Sequence, residues 1–438
     1  MRIVSHDPIA SVHLQTLGCR LNEAELEIWA QDFRAQGMVV TPDVASADMV
    51  VVNTCAVTQE AVRKSRNLIR RAQRQNPQAK LVVSGCYSSL AEPQMAEELG
   101  IDLVVGNHEK DRLVDLTRQA FALPVMPQVA TEPGQSSLLA RGRHRAFIKV
   151  QDGCRYRCTY CVVTLARGEE RSRPLAEIVA EIRALSAVVH EVVLTGVHLG
   201  GYGHDLGLTL TDLVRAVLSR TTIPRVRLGS VEPWDIPPDF WQLFDNPRLM
   251  PHLHLPMQSG SDSVLRRMAR RCKTDTFIEM ITWARAQIAD FTVTTDIIVG
   301  FPGETEDEWQ QTLDFVNRIR FARVHIFSYS TRAGTRAAAL PSPVNRAVQR
   351  ERSAQLHQIV VEHQCAILQQ HIQRNYPVLI EGQSTPTADG REWQGYTPNY
   401  LRVRVCTTQD VSLANRIVPV YTRQVTVGGK ALIADLNM

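Results

Sequence analysis

The sequence lacks the long apolar segments that mark membrane-spanning and secreted proteins. No uncharged apolar run reaches the roughly 18 residues that a spanning helix needs. Residues 1–10 contain no apolar core of a secretory signal. Repeats and low-complexity tracts are also absent. We therefore expect a globular, cytoplasmic protein with no membrane partner, whose 438 residues are enough for about three domains.

A strong charge bias is absent as well. The formal net charge is only +4, which by itself is weak evidence for a nucleic-acid partner. There are nine cysteines, and this odd number does not suggest a disulfide framework, which a reducing compartment would also disfavour. Metal binding or catalysis is therefore the better explanation for the cysteines.

Short apolar runs alternate with helical stretches over the first part of the chain. Buried strands are predicted at residues 12–17, 49–53, 81–84 and 102–105, and helices at residues 22–35 and 60–75. This alternation predicts a doubly wound parallel sheet, which we assign to an N-terminal domain of residues 10–122. Proline, glycine and serine then predict a linker at residues 123–142.

The alternation of strands and helices resumes after the linker. Six strands are predicted to begin near Phe147, Val192, Val226, His252, Thr292 and Val324. Six such units predict an open or partial (βα)6 barrel, and this second domain is assigned to residues 143–373. Its last part, residues 345–374, is predicted to be a long polar helix.

The hydrophobic period changes to two after Tyr376. Short strands are predicted at residues 378–380, 401–405, 417–421 and 431–433, and glycines separate them. Residues 374–438 are therefore predicted to form a small all-β domain, consistent with a five-stranded barrel.

Three cysteines lie close together as Cys154, Cys158 and Cys161, with the spacing C-x3-C-x2-C. Thiolates are the usual ligands of iron–sulfur clusters, and three of them leave the fourth iron of a cubane open to a substrate or cofactor. The alternative is a zinc loop or three free thiols, but zinc takes four ligands and no fourth cysteine or histidine follows closely. The spacing resembles the signature of the radical SAM superfamily, in which the open iron binds S-adenosylmethionine (SAM).

The superfamily resemblance implies a partial (βα)6 barrel with SAM along its strand ends and the three cysteines as catalytic residues. Functional residues of barrel folds collect at the carboxyl ends of the strands. Six residues there are predicted to contact SAM: Thr195, Gly196, Ser230, Glu232, Gln258 and Asp296. Taken singly, each could instead be a cap or turn residue.

Three further cysteines are far apart in the sequence but occupy equivalent places. Cys19, Cys55 and Cys86 each come just after a predicted strand of the first domain. Because the carboxyl ends of parallel strands share one edge of a sheet, these thiols can converge on a second cluster. Buried structural cysteines are the alternative. No such pattern is found for Cys272, Cys365 and Cys406, which are predicted to be ordinary thiols.

The segments around the strand-end cysteines resemble one family in particular. The N-terminal cluster domain of the radical SAM methylthiotransferases has segments similar to TLGCRLN at residues 16–22, NTCAVT at 53–58 and SGCY at 84–87. The C-terminal β region resembles the small RNA-binding module called TRAM. The second segment, followed by RKSR at 63–66, looks most like the branch that acts on N6-threonylcarbamoyladenosine at position 37 of tRNA.

The family resemblance implies two 4Fe–4S clusters and a reaction for them. The cluster of the three-cysteine loop reduces SAM, and the resulting 5′-deoxyadenosyl radical takes hydrogen from C2 of the adenine ring. The second cluster supplies a sulfur, which a second SAM methylates. The implied partners are the anticodon loop of tRNA and an electron donor such as flavodoxin or ferredoxin, and we expect a monomer.

Basic and aromatic residues give separate support for an RNA partner. Three clusters of cations could contact phosphates: Arg63, Lys64, Arg66, Arg70, Arg71 and Arg74; Arg141, Arg143 and Arg145; and Arg266, Arg267, Arg270 and Arg271. A solvated surface is the ordinary alternative for each. Bases could stack on the C-terminal region through Trp393, Tyr396, Asn399 and Tyr400, although core packing explains these residues equally well.

Two other functions stay open from the sequence. The first is a methylthiotransferase that acts on another tRNA adenosine derivative or on a ribosomal protein side chain. The second is a non-catalytic RNA-binding protein with structural metal, which would not cleave SAM after anaerobic reduction.

Overall fold

The computed structural model describes residues 11–91, 94–121, 123, 144–387, 390–408 and 411–437. The described residues form two compact units. The first contains those up to residue 123 together with 152–156 and 161–169, and the second contains the rest. The predicted linker, apart from Leu123, and the N-terminal residues 1–10 lie outside the described residues. Within the described ranges, no helix is long and apolar enough to cross a membrane.

A five-stranded parallel sheet forms the centre of the first unit, with the order β2-β1-β3-β4-β5. Its strands are β1 (Ser11–Thr16), β2 (Val39–Val40), β3 (Met49–Thr54), β4 (Lys80–Gly85) and β5 (Leu103–Val105). The helices are α1 (Arg20–Ala35), α2 (Gln59–Gln75), α3 (Cys86–Leu90), α4 (Met95–Glu98) and α5 (Leu113–Ala120). The predicted doubly wound sheet is confirmed. Of these strands only β2 was not predicted, because two residues are too few to show a hydrophobic pattern.

Both faces of this sheet are covered. All residues of β3 are buried, as expected for a central parallel strand. One face packs in a cluster that includes Trp29 and Phe33, and the other in a cluster that includes Ile69 and Tyr87. With both faces covered, residues that follow the strands lie at the edge formed by the carboxyl ends of the strands.

Six parallel strands form the barrel of the second unit. They are β6 (Arg145–Lys149), β9 (Glu191–Thr195), β10 (Arg225–Leu228), β11 (His252–His254), β12 (Thr292–Val299) and β13 (Arg323–Ser328). Their order is β6-β9-β10 and β11-β12-β13, and a bridge between Ser230 and His254 joins the two halves. Each strand begins within two residues of its predicted start, so the partial barrel is confirmed.

Short elements lie next to the three-cysteine loop, and longer helices follow the barrel strands. The short elements are β7 (Gln151–Asp152), α6 (Val163–Arg167) and β8 (Arg171–Ser172). The longer helices are α7 (Leu175–Leu185), α8 (Leu210–Arg220), α9 (Asp262–Arg267), α10 (Thr274–Gln287), α11 (Glu306–Ile319) and α12 (Arg346–Gln369). Short 3-10 helices lie at Lys110–Arg112, Leu199–Gly201, Pro233–Asp235, Pro238–Asp245 and Arg336–Ala339.

A closed five-stranded barrel follows α12, with the order β14-β15-β16-β18-β17. Its strands are β14 (Asn375–Thr387), β15 (Gly390–Tyr396), β16 (Arg402–Thr407), β17 (Ile417–Val425) and β18 (Leu432–Leu436). The predicted small all-β region is confirmed. Strand β15 had no predicted counterpart, because its sequence GREWQGY does not alternate between apolar and polar residues.

Tyr400 connects this C-terminal barrel to the amino ends of the larger barrel's strands. The guanidinium carbons of Arg145 and Arg227 lie 5.5 and 4.6 Å from the centre of its ring. The ring of His252 lies 4.7 Å away, and that of Tyr396 stacks on it at 4.9 Å. Cations over an aromatic face and stacked rings both stabilise such a contact.

The four residues proposed above as a platform for bases are therefore packing residues. Tyr396 and Tyr400 form the contact between the barrels, Trp393 is 4% exposed in the core, and Asn399 is 1% exposed. The backbone carbonyl of Asn399 accepts a hydrogen bond from the Thr292 hydroxyl at 2.6 Å. The core-packing alternative is the one that the structure supports.

Candidate functional site

The three strand-end cysteines come together at one edge of the first unit. Cys19 follows β1, Cys55 follows β3, and Cys86 begins α3 directly after β4. A β-carbon placed on Gly18, which has a φ of +127°, would lie 2.9 Å from that of Cys55. Cys19 is exposed and the other two are buried, so a group held by the three sulfurs would be reached from the Cys19 side.

Polar side chains hold these strand ends in place. The Cys19 thiol donates to the side-chain oxygen Oδ1 of Asn22 at 3.5 Å. The amide of Asn22 in turn donates to the backbone carbonyl of Thr54 at 3.1 Å. The Ser65 hydroxyl accepts from the backbone N–H of Cys55 at 3.1 Å and donates to its carbonyl at 2.9 Å. The loops are therefore fixed by contacts between them, and not only by the sheet.

The electrostatics of this site favour a cationic occupant. Burial is the main cause that raises the pKa of the Cys55 thiol to about 11, and the charges of Cys19 and Cys86 raise it further. Buried thiolates at Cys55 and Cys86 would be stable only beside compensating positive charge, which the irons of a cluster would supply. None of the three is in a disulfide, so this donor set fits an iron–sulfur cluster.

Backbone geometry shapes the three-cysteine loop at its first cysteine. Gly153 has a φ of +74°, and a β-carbon there would lie 1.8 Å from the carbonyl oxygen of Glu169. The N–H of Cys154 donates to the carbonyl of Gly168 at 3.1 Å. Only glycine allows the chain to pass this closely.

The other two cysteines of the loop have hydrogen-bond donors beside their sulfurs. The backbone N–H of Val163 donates to Cys161 Sγ at 3.4 Å, and Arg270 Nη1 lies 3.8 Å from Cys158 Sγ. The backbone around Thr159 is fixed to Met268 by a 3.0 Å hydrogen bond. Such donors are typical around cluster sulfurs, where they stabilise the thiolate. The loop residues therefore also fit an iron–sulfur cluster.

Five of the six residues predicted to contact SAM lie at or after the carboxyl ends of strands in the second unit, whereas Asp296 lies within β12, three residues before its end. Thr195 ends β9 and Gly196 follows it, and Ser230 and Glu232 come after β10. Gln258 lies after β11, and its N–H donates to the carbonyl of Asp296 in β12 at 2.8 Å. The barrel thus brings these six positions to one end.

The two carboxylate side chains among the six predicted SAM contacts, Glu232 and Asp296, have protein partners. Arg270 Nη1 donates to Glu232 Oε1 at 3.1 Å, and Arg270 Nη2 donates to Glu232 Oε2 at 2.5 Å. Asp296 Oδ1 lies 3.3 Å from Nε2 of His254. A ligand at this end of the barrel would therefore meet the Glu232 carboxylate already paired with the Arg270 guanidinium.

Comparison with known proteins places the fold and site in one family. The profile of the radical SAM superfamily matches residues 148–316, and that of an uncharacterized protein family, UPF0004, matches residues 11–106. The threonylcarbamoyladenosine tRNA methylthiotransferase MtaB of Thermotoga maritima is 40% identical over 350 residues, which are 78% of this chain and 80% of that protein. MtaB of Bacillus subtilis is 34% identical over 418 residues, 92% of each chain. This chain belongs to the radical SAM methylthiotransferase family.

As a radical SAM methylthiotransferase, the chain is an enzyme with SAM and two 4Fe–4S clusters as cofactors. A further relative is the tRNA-2-methylthio-N(6)-dimethylallyladenosine synthase of Acidothermus cellulolyticus, which is 35% identical over 88% of this chain and 80% of its own. Among solved structures, the radical SAM methyltransferase TsrM of Kitasatospora setae matches with a TM-score of 0.57 at 16% identity, over 87% of this chain and 79% of that one. That likeness concerns the fold alone.

Sequence reasoning missed a buried histidine of this methylthiotransferase. His198 follows Gly196 and is 2% exposed. Its Nε2 lies 2.6 Å from Asp235 Oδ2, and its Nδ1 contacts Glu170. Burial alone would lower the pKa of His198, but the hydrogen bonds that its ring donates to Asp235 and Glu170 outweigh burial and raise the pKa to about 9. His198 is therefore an imidazolium held between two carboxylates at neutral pH.

Arg270 was predicted to contact RNA, and the structure gives it a different environment. It is 8% exposed, pairs with Glu232, and stacks over the Trp234 ring at 4.4 Å. Its neighbour Arg267 pairs with Glu308 at 2.6 Å. Of the third basic cluster, only Arg266 and Arg271 are exposed. No spacing in the sequence signals these pairs, because their members are 38 and 41 residues apart.

Proposed function

We propose that this enzyme attaches a methylthio group to C2 of N6-threonylcarbamoyladenosine at position 37 of tRNA. The observation that supports sulfur insertion is the convergence of Cys19, Cys55 and Cys86 at one sheet edge. The chain also has a separate three-cysteine loop, so two clusters can be bound. Similarity to the two MtaB proteins supports the choice of substrate, because each aligns over more than three quarters of this chain.

In this proposal each cluster is held by one set of three thiols. The ligands of the radical-generating cluster are Cys154, Cys158 and Cys161, and those of the auxiliary cluster are Cys19, Cys55 and Cys86. When bound, the first cluster supplies the electron that cleaves SAM, and the auxiliary cluster supplies the sulfur.

The residues of the chain itself bind SAM, orient it and shield the reaction from water. Thr195, Gly196, Ser230, Glu232, Gln258 and Asp296 are proposed to line the SAM site. A β-carbon on Gly196 would lie 2.9 Å from Gln151 Oε1, so a side chain there would displace the amide that accepts from the His198 backbone N–H at 2.9 Å. Glycine at position 196 therefore leaves room for the Gln151 amide in this loop. Exclusion of water is needed, because carbon radicals react with almost any neighbour.

Helix α2 is the best candidate surface for the tRNA backbone. It exposes Arg63, Lys64, Arg70, Arg71 and Arg74. Of the second basic cluster, Arg141 and Arg143 lie outside the described residues, and Arg145 is engaged with Glu191, Glu381 and the two tyrosines of the barrel contact. Within the described residues, α2 therefore has more exposed cations than either of the other two basic clusters, and exposed cations can meet phosphates.

The substrate is tested by expressing the chain in a strain that lacks this modification. Total tRNA is digested to nucleosides and analysed by mass spectrometry. We expect threonylcarbamoyladenosine to gain a methylthio group, and a variant with Cys154, Cys158 and Cys161 changed to alanine to leave it unchanged. Threonylcarbamoyladenosine without the added group, in cells that contain the intact protein, would exclude the proposed substrate.

A second candidate substrate is an isopentenylated adenosine, because the dimethylallyladenosine synthase relative is 35% identical over most of the chain. The same digest separates the two, since the two methylthiolated nucleosides differ in mass. A flavodoxin or ferredoxin donor, a monomeric state, a cytoplasmic location and the domain boundaries given above stay predictions.

A further inference from the structure

A buried arginine lies against one of the three auxiliary-cluster cysteines. Arg167 ends α6, is 1% exposed, and its Nε donates to Cys86 Sγ at 3.4 Å. Its Nη2 donates to the side-chain Oδ1 of Asn22 at 2.8 Å, and the same oxygen accepts from the Cys19 thiol. One guanidinium therefore contacts one cysteine directly and a second one through a single amide.

Two carboxylates hold this guanidinium in its orientation. Arg167 Nη1 donates to Glu25 Oε1 at 2.8 Å and to Asp152 Oδ1 at 3.0 Å. Lys110, which is fully buried, contacts Glu25 and lies 3.3 Å from Asp152 Oδ2. The group thus contains two cations and two anions, and its net charge is zero.

Stability alone does not account for such a group. Burying each of the four charges costs roughly several kcal/mol of desolvation free energy. Well-packed apolar residues in their place often stabilise a fold equally well or more. What the charges achieve is orientation, because the planar fork of Arg167 is held on its Nη1 side by carboxylates and points Nε at the sulfur. The two carboxylates also keep the guanidinium from repelling Lys110.

The position of the arginine in the chain gives this contact a wider effect. Asp152 lies two residues before Cys154, and Arg167 lies six residues after Cys161. The network therefore connects both ends of the three-cysteine loop to the first turns of α1 and α3, which contain Asn22 and Cys86. All of its members belong to the first unit.

We propose that Arg167 is a positioning residue that orients Cys86 as a ligand of the auxiliary cluster and raises the reduction potential of that cluster. Hydrogen bonds and positive charge at a cluster sulfur stabilise the reduced form, which carries one more negative charge. The inference rests on the proposed function, in which Cys86 is a ligand of that cluster.

The test uses the full chain with Cys154, Cys158 and Cys161 changed to alanine, so that only the auxiliary cluster can form. After anaerobic reconstitution, iron content is measured and the potential is determined by redox titration followed by electron paramagnetic resonance. Two matched pairs are compared: Glu25→Gln with and without Arg167→Gln, and the unchanged background with Arg167→Lys. In the first pair, Glu25→Gln leaves the buried group with a net charge of plus one, and the double variant leaves it at zero. Neither protein therefore contains a buried carboxylate without a cation beside it.

We expect Arg167→Gln to lower the potential relative to Glu25→Gln alone and to change the resonance spectrum, with iron still bound. Arg167→Lys keeps the charge, but its single ammonium cannot reach Cys86 and both carboxylates together, so its potential should also fall. If the double variant does not fold, the comparison of Arg167→Lys with the unchanged background tests the proposal, again by whether the reduction potential falls. Unchanged potentials together with a lower melting temperature would make Arg167 a purely structural residue and overturn the proposal.

A Cys86→Ser variant in the same background separates this inference from the proposed function. Loss of the cluster signal in this variant, with no effect of Arg167 on the potential, would reject only the role of Arg167. A cluster with unchanged iron and spectrum after Cys86→Ser would reject the ligand assignment itself, and the inference with it.

Discussion

Gly153 has a φ of +74° and no room for a side chain, because the carbonyl oxygen of Glu169 would lie 1.8 Å from a β-carbon. We expect Gly153→Ala to cost more than about 2 kcal/mol, through backbone strain and the clash together. Iron bound by the three-cysteine loop should be lost with it. The measurement is iron content and unfolding midpoint in a Cys19, Cys55 and Cys86 triple-serine background.

Gly207 provides the control for that substitution. Its φ is +68°, but nothing lies within 4 Å of a β-carbon there. Gly207→Ala should therefore cost only the left-handed strain, about 1 kcal/mol, and leave iron binding intact. Equal costs at both positions would mean that the close approach to Glu169 has no energetic weight.

His198 should make stability depend on pH in the alkaline range. Its folded-state pKa of about 9 lies above the unfolded value of about 6.5, so its stabilising effect is complete below pH 6.5, approximately, and is lost as the pH rises through 9. The effect amounts to at most about 3 kcal/mol. The measurement is the difference in urea midpoint between the wild type and His198→Gln from about pH 6 to about pH 10. Parallel curves for the two proteins would contradict this assignment.

At the residue scale, the sequence predicts the placement of a side chain where position along a strand determines it, and the role of the cysteines as cluster ligands stays a prediction. Cys19, Cys55 and Cys86 were predicted to converge because each follows a strand of one parallel sheet. The partners of Glu232 and His198 could not be predicted, because Arg270 and Asp235 come from other loops, 38 and 37 residues away. Such pairs depend on how loops close over a barrel end, which hydrophobic periodicity does not encode.

The attachment of the C-terminal barrel should weaken when the ring of Tyr400 is removed. Tyr400→Ala deletes the surface on which Arg145, Arg227 and His252 pack, at an expected cost of roughly 2–4 kcal/mol. Limited proteolysis should then cut between α12 and β14. Tyr421→Ala is the control, because Tyr421 in β17 is 38% exposed. Equal resistance of both variants would show that the contact does not hold the two barrels together.

Helix α2 should bind tRNA through its exposed arginines. Arg70 and Arg74 are one turn apart and both exposed. Changing both to alanine should weaken tRNA binding and reduce the slope of log affinity against log salt by about 0.7–0.9 for each phosphate that the helix no longer neutralises. The matched control is Arg346→Ala with Arg350→Ala, which are also exposed and one turn apart on α12. An unchanged slope in the α2 variant would move the tRNA surface elsewhere.

At the scale of elements, the parallel strands were predicted well because they are short, continuous apolar runs. The C-terminal region was predicted less completely. In β15, Trp393 and Gly395 are buried between polar neighbours, and the glycine takes the place of an apolar side chain at the pairing with Ile380. That strand depends on its neighbours in the closed barrel more than on its own pattern.

For the whole molecule, iron should divide equally between two independent sets of ligands. Changing Cys19, Cys55 and Cys86 together to serine should remove about half of the iron from the reconstituted protein, and changing Cys154, Cys158 and Cys161 should remove the other half. Iron analysis and SAM cleavage after anaerobic reduction are measured together. Cleavage should persist only in the first variant. Loss of all iron from either variant would contradict two separate sites.

Residues 152–156 and 161–169 belong to the first unit although they follow the predicted linker in the chain. The amide of Asn107 donates to the carbonyl of Ala166 at 2.8 Å, which ties α6 to that unit. The first unit is therefore built from segments that are not continuous in the sequence. A recombination event between relatives at residues 123–142 would combine a foreign sheet with resident loop segments and break pairs such as Arg167 with Glu25. Exchange between family members should succeed only when the transferred gene segment extends past residue 169, or when both partners of each pair are replaced together.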